Sequence, residues 1–473
     1  MSAQTQNDVL IVGAGLAGLA AAVALSSAGA NVALLERKPY VGGRAYSYPH
    51  PALDEVIDSQ HVLLGCCTNL VDLCKLSGAD KHIRWYDDVT FLEPGTPLRR
   101  SDIGAGFLPA PGHSSLSFLH ASMLSAADKA RIAFGLMEFM HGYPAMDDEA
   151  FSEWLKRTKQ TDRAIRHFWE PVIVGALNDS SERCSTRYAG QVFYESFLKS
   201  AEGGRLGIPT QPMSEFYAAV AALAERQGTA MHLRTSIDSI VRLSDGSWRA
   251  IASDGSLHNV TQMILALPFE QTARLIDTLP EEDRGTLALD FSRFIHAPIT
   301  TIHLWFDREI TSLDHAAFLD TRIQWVFNKT RIRCDEPGAA EEKGQYLELV
   351  ISASFAELQM TREQILSSAL EELARFFPAV HEAVLLKSGV LKEARATFSV
   401  VPGLDRYRPH AATGLPGLYL AGDWTRTGWP STMEGAVRSG RLAAEVVTGA
   451  NGKQRRFLTP DLPASGLMRL FSQ

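Results

Sequence analysis

The sequence predicts an α/β chain in which a Rossmann-type nucleotide-binding domain is interleaved with an α+β domain. Two stretches predict it. A strand, glycine turn, helix and second strand fill Asp8–Arg44, and a buried strand ending in Gly-Asp precedes a helix near the C-terminus. The length of 473 residues is enough for two or more domains, or for one large composite domain.

Val9-Leu10-Ile11-Val12 is a short apolar, β-branched run, as a strand buried on both faces requires. Gly13-Ala14-Gly15-Leu16-Ala17-Gly18 follows at once. Gly13 permits the tight turn, Gly15 lets backbone N–H groups approach a pyrophosphate, and Gly18 lets the helix sit close to the strand. Leu16 and Ala17 open that helix, whose N-terminus faces the phosphates with partial positive charge. Asn31–Leu35 is the second strand. Glu36 at its end, with Arg37 after it, stands about 20 residues on, where a carboxylate accepts ribose hydroxyls. Gly42-Gly43-Arg44 forms a second close-approach turn, and Arg44 can reach phosphate.

Further along, Val56–Cys67 reads as a buried strand or turn leading into a helix that ends near Leu76. His61 is polar in an apolar setting. It is either a satisfied structural histidine or a group close to the reaction centre. Residues 103–127 carry no Asp, Glu, Lys or Arg, but Pro109 and Pro111 forbid a continuous span. Ser125–Asp128 starts an apolar helix. The stretch reads as an ordinary helical cap, a membrane-dipping entrance or the wall of a greasy tunnel. Aromatics crowd Phe151–Leu198, which reads as mostly helical, and they suit an apolar ligand chamber or plain core. Pro212-Met213-Ser214 opens a helix to Gln227. Ile237–Leu267 reads as a strand meander with Asp-Gly turns. Ile299–Phe306 and Gln345–Ala353 read as strands of a second sheet, and Thr361–Gln364 as a capping box. Finally, Gly417–Trp424 is the closing strand. Gly422-Asp423 can meet a ligand hydroxyl or pyrophosphate water, and Thr432, Met433, Gly435 and Ala436 open a helix whose N-terminus would stabilise negative charge on a bound ligand.

The net charge of −8 excludes an overall basic field and argues against nucleic acid. Cys66, Cys67, Cys74, Cys184 and Cys334 form no CxxC pair and no metal spacing, so no metal is expected, and the thiols suggest a reducing, cytosolic setting. No Lys or Arg precedes the apolar run Val9–Leu25, so it lacks the character of a signal peptide.

The Glu36…Gly42-Gly43-Arg44 arrangement after a GxGxxG turn resembles the entry of the flavin amine oxidase and phytoene desaturase superfamily, which implies FAD. In that superfamily a residue near Ile237 would meet the adenine end. Within it, Asp58–Gly65, Trp85–Asp87, Thr90–Pro94, Glu393–Phe398 and Ala421–Thr425 resemble the hydroxysqualene dehydroxylase family, also called squalene-associated FAD-dependent desaturases. That family usually has one more residue before the Gln-His pair. The resemblance implies reductive removal of an allylic hydroxyl from a C30 isoprenoid alcohol, with His61 as candidate proton donor. It also implies five segments: residues 1–76, 229–290 and 401–473 as FAD-binding parts, 77–228 as a mostly helical substrate or membrane-facing part, and 291–400 as a substrate sheet with a helix. The insoluble substrate implies peripheral contact with the inner face of the membrane, to which the basic and apolar tails Lys453–Leu458 and Leu467–Phe471 are suited. No second dinucleotide fingerprint marks the electron donor. The alternatives are a carotenoid desaturase or amine oxidase, and a non-catalytic prenyl-lipid carrier resembling the prenyl-protein escort factors.

Overall fold

The computed structural model describes residues 8–333 and 344–471; Cys334 lies outside them. Its first layer is a five-stranded, all-parallel sheet in the order Ala230–His232, Val32–Leu35, Val9–Val12, Gln262–Leu265, Leu418–Leu420. The strands come from the start, middle and end of the chain. Val9–Val12 is completely buried between Val32–Leu35 and Gln262–Leu265, which is why it reads as a continuous apolar run without alternation. Four helices cover one side: Leu16–Ser27, Thr68–Ser77, Met213–Arg226 and Met433–Ala450. The first and last of these pack most intimately. A Cβ on Gly440 would stand 2.0 Å from the Ala17 carbonyl oxygen, so the two helix backbones touch only because residue 440 has no side chain.

The second layer is a seven-stranded sheet centred on His296–Phe306 and Gln345–Ser352, with Arg362–Phe376 packed on it. The capping boxes at Ser125/Asp128 and Thr361/Gln364 both form as the sequence indicates. The stretch 77–228 departs from a purely helical reading. Asp88–Glu93 and Arg99–Gly104 form a hairpin that joins the second sheet, through parallel pairing of Phe91 with Ala317. Thr90, Phe91 and Leu92 bury here because a neighbouring strand from residue 315 onward is waiting, a partner that local pattern does not reveal.

The aromatics of 151–198 pack against one another. Phe151, Trp154, Trp169 and Phe193 are at most 1% exposed and form edge-on and stacked pairs with centroids 4.6–6.2 Å apart. They are core, and they do not line a ligand chamber. Among the described residues, no helix is long and apolar enough to cross a membrane.

Candidate functional site

The two ends of the chain meet. Arg44 Nη2 donates to Asp423 Oδ1 at 2.5 Å across 379 residues of sequence. Asp423 is 4% exposed, and its second oxygen accepts from the Ser431 hydroxyl at 2.5 Å. Burial alone would raise this carboxyl; the Arg44 guanidinium and the Ser431 hydroxyl hold it below its ordinary value. Arg44 also reaches the Ala396 carbonyl at 3.3 Å, beside the Glu393–Phe398 stretch.

The glycine turns form a cradle. Gly42 N–H donates to the Ala14 carbonyl at 2.9 Å. A Cβ on Gly43 would lie 3.0 Å from the Gly15 Cα, so the two turns approach backbone to backbone. Gly43 sits at φ +69°, where a side chain is strained. Gly18 lies against the Gly13 carbonyl, 1.9 Å from where its Cβ would stand. The helix Leu16–Ser27 begins at Gly15 with no capping side chain and no acid in its first turn. The N–H groups at its start are therefore set to receive an anion from outside the helix. Glu36, 7% exposed, stands beside them and accepts the Ala14 and Lys38 N–H groups at 2.8 and 2.9 Å. Ile237 begins the strand just beyond Thr235, whose N–H bonds the Glu36 carbonyl; Arg37 is exposed. An elongated dinucleotide fits these residues: acid at one end, bare helix N-terminus in the middle, Arg44 and Asp423 beyond.

At the far end, Met433–Ala450 begins where Thr432 accepts the Gly435 N–H at 3.1 Å. Gly435 lies so close to the Pro430 carbonyl that a Cβ would come within 2.6 Å, and Ala436 N–H bonds the Thr432 carbonyl. A cavity of about 320 Å³ between Thr68–Ser77 and Met213–Arg226 ends at Met433 and is lined by Leu63, Leu70, Met213 and Phe216. That volume lies at the lower end of the range for small-molecule sites, roughly 300–1,000 Å³.

Two groups that sequence reasoning missed support this site. Arg408 has a fully buried side chain. Its guanidinium donates to the carbonyls of Asp423, Trp424, Thr425 and Trp429 at 2.6–3.3 Å and to the Tyr188 hydroxyl. It thus holds the loop after Asp423 from inside. The second group is a buried ionic cluster below Asp58–His61. Lys329 Nζ donates to Asp58 Oδ1 at 3.2 Å and Gln60 Oε1 at 2.7 Å, and lies 3.2 Å from Glu348 Oε2. A lysine in a short polar segment gives no sequence signal for this; its partners are 271 and 269 residues away.

His61 is placed less favourably than expected for a proton donor. Its Nδ1 lies 2.6 Å from the Ser59 carbonyl, so that nitrogen carries a proton already engaged. Burial lowers its basicity and outweighs the pull of Asp58. Glu348 is the contrasting group. It is fully buried, and burial, only partly offset by Lys329, pushes its carboxyl up to about 7. The native state therefore holds this proton while the unfolded chain, near 4.5, has released it. Between those values unfolding releases protons, so Glu348's contribution to stability falls as pH rises through that window. Thermal melts across it should show a steeper loss for the native sequence than for Glu348→Gln; parallel slopes would contradict this.

Glu93, His167 and Asp320 bring three ligand atoms within 4.8 Å of one another. Arg163 grips Glu93 through both carboxylate oxygens and Arg166 bonds Asp320, so arginines already neutralise these carboxylates.

With this geometry in hand, the comparisons are decisive at the level of family. A family model described as flavin containing amine oxidoreductase matches residues 16–448. The chain belongs to the flavin-containing amine oxidoreductase family. It is an FAD-dependent oxidoreductase with a flavin amine oxidase-like fold, and the escort-like alternative falls away. Among curated proteins, it is 27% identical to a 15-cis-phytoene desaturase of Solanum lycopersicum, covering 93% of this chain and 77% of the relative. It is 26% identical to a zeta-carotene desaturase of Synechocystis, covering 93% and 96%. Among solved structures, an oxidoreductase from Methanosarcina mazei has a TM-score of 0.69 at 19% identity, covering 93% of this chain and 100% of that one. A putrescine oxidase bound to putrescine has a TM-score of 0.67 at 16% identity, covering 94% and 99%. At these identities the structures speak for the fold alone.

Proposed function

We propose that this flavoenzyme removes the allylic hydroxyl of hydroxysqualene, giving squalene, with reduced FAD as the source of hydride. Gly13, Gly15, Gly18, Glu36, Gly42, Gly43, Arg44, Asp423 and the start of the Thr432–Ala436 helix are the residues we assign to the flavin. The observation that carries the reading is a buried carboxyl, Glu348, raised by burial and gripped by the Gln60 N–H and Lys329 behind Asp58–His61. Loss of hydroxide from an allylic carbon needs a proton on the departing oxygen, and a dry protein must store it. The site resemblance at Asp58–Gly65 and Glu393–Phe398 points the same way.

Support for an isoprenoid substrate comes from the surface. The tail seats on the 107–141 region: Leu467 N–H bonds the Ala110 carbonyl at 2.8 Å, and Phe471 meets the His141 ring edge-on. Together they expose Phe107 (85%), Leu119, Phe134, Met137, Leu467 and Leu470 (73%), with Arg131 and Arg469 also exposed. An apolar rim with basic flanks suits the anionic inner face of a membrane, from which a water-insoluble alcohol would arrive. Phe107→Asp with Leu470→Asp should weaken binding to anionic vesicles roughly 10-fold or more. Both side chains are exposed, so the melting temperature should stay unchanged; unaltered sedimentation with vesicles would contradict the assignment.

Carotenoid desaturation is the second reading, favoured by the desaturases to which the chain is similar. It uses the same scaffold with electrons flowing the other way. Amine oxidation lacks a comparable argument. The experiment is anaerobic reduction of the enzyme followed by hydroxysqualene. Reoxidation of the flavin with squalene formed in equal amount supports dehydroxylation; a flavin that stays reduced, together with oxidised enzyme that desaturates phytoene, rejects it.

A further inference from the structure

We propose that Lys329 is a positioning residue for the Asp58–His61 segment and that Glu348 sets the charge of the cluster around it, coupling the flavin's electron affinity to pH. The geometry is that of a built device. Lys329 is 2% exposed and begins the short helix Lys329–Ile332. It holds Asp58 and the Gln60 side chain, while Glu348, on the central strand Gln345–Ser352, accepts the Gln60 N–H at 2.6 Å. The segment is thus gripped from two elements of the second sheet. Gln60 in turn donates to the His61 carbonyl at 2.8 Å, which carries the grip to His61.

The cluster lies close to the dinucleotide cradle. Asp58 Oδ2 accepts the Ser47 hydroxyl at 3.0 Å and the Met213 N–H at 3.4 Å. One helical turn on, Tyr217 lies 3.1 Å from where a Gly42 Cβ would stand. A charge change at Glu348 therefore occurs in dry surroundings behind the turn that carries Arg44, where it is felt strongly.

The groups facing Glu348 are Lys329, Asp58, Arg333, His303, Tyr346 and His61. Arg333 donates to Asp58 Oδ1 at 3.1 Å. His303 is pushed down to about 3 by burial and by Lys329, and burial pushes the Tyr346 hydroxyl well up, so both stay neutral at ordinary pH. His61 is lowered as well. Glu55 and His50 also act on Tyr346 and His303, and the whole cluster becomes one unit more negative once Glu348 ionises. A reduced, anionic flavin would be disfavoured by that added negative charge as pH rises past about 7. The inference rests on the proposed reaction only where turnover is the readout.

The test uses flavin-loaded enzyme and follows the midpoint potential of the bound flavin across pH. The native sequence should show an additional drop near neutrality, superimposed on the ordinary slope of a proton-coupled flavin. Glu348→Gln should abolish that drop and keep the potential at its low-pH level. Lys329→Met should lose turnover of hydroxysqualene by about 100-fold at unchanged flavin content, because the segment is misplaced, and Lys329→Arg should restore part of it. Persistence of the drop in Glu348→Gln, or full turnover in Lys329→Met, overturns the proposal. If Lys329→Met does not fold, Glu348→Gln decides alone. Loss of the drop in Glu348→Gln, with no conversion of hydroxysqualene by the native sequence, upholds the cluster and rejects the reaction.

Discussion

Gly15→Val is expected to yield a folded but colourless protein. Gly15 has extended backbone, φ −77° and ψ −179°, which any residue adopts. A Cβ there would meet Gly43 Cα at 3.7 Å, an ordinary contact. Neither the backbone conformation nor the room for a Cβ therefore requires glycine at this position, and the melting temperature of the flavin-free protein should change little. The branched side chain would instead occupy the space into which the bare helix N-terminus points, where a pyrophosphate must lie. Flavin affinity should fall by about 3 kcal/mol or more, roughly 100-fold. The flavin-to-protein ratio after gentle purification measures it. Gly18→Val is the contrasting control: with the Gly13 carbonyl 1.9 Å from its Cβ, it should fail to fold at all. A yellow Gly15→Val protein would remove the turn from the cofactor site.

Arg408→Met should be the most damaging single change outside the glycines. It removes a guanidinium that satisfies four carbonyls and a tyrosine hydroxyl in a water-free interior. Those acceptors would be stranded, and Asp405 would lose a cation 3.4 Å away. Breaking a buried charged network of this kind costs about 3–5 kcal/mol, and the loop bearing Asp423 and Ser431 should loosen with it. Both a lowered unfolding midpoint in urea and weakened flavin retention are expected. A variant with native stability would show that water replaces the guanidinium at no cost.

Local spacing made the first half of the site legible. Gly13, Gly15, Gly18 and Glu36 are identified by a fixed interval, because one strand, one turn and one helix impose it. Gly42-Gly43 was legible for a similar reason: each is at positive φ, and a Cβ on Gly43 would crowd the Gly15 backbone. The capping boxes at Ser125 and Thr361 follow a three-residue rule. The supporting groups obey no such interval. Lys329 finds Asp58 only after two strands of the second sheet have paired with Val326 opposite Leu349 and Phe327 opposite Glu348. Arg408 looks like any exposed arginine in a loop until the strand Leu418–Leu420 brings residues 423–429 around it. The hairpin 88–104 was obscured because its burial depends on a neighbour more than 200 residues away. His61 was readable as polar in an apolar stretch, but its engagement with Ser59 depends on backbone geometry.

One measurement bears most directly on the central claim, that a flavin held beside the Arg44–Asp423 pair reduces an allylic alcohol. Enzyme is reduced anaerobically in D₂O, mixed with hydroxysqualene, and the product analysed by mass spectrometry while the flavin absorbance is followed. The account predicts squalene carrying one deuterium at the former carbinol carbon, formed at the rate the oxidised flavin spectrum returns. Squalene without that deuterium, or an unchanged alcohol beside a flavin that stays reduced, contradicts it.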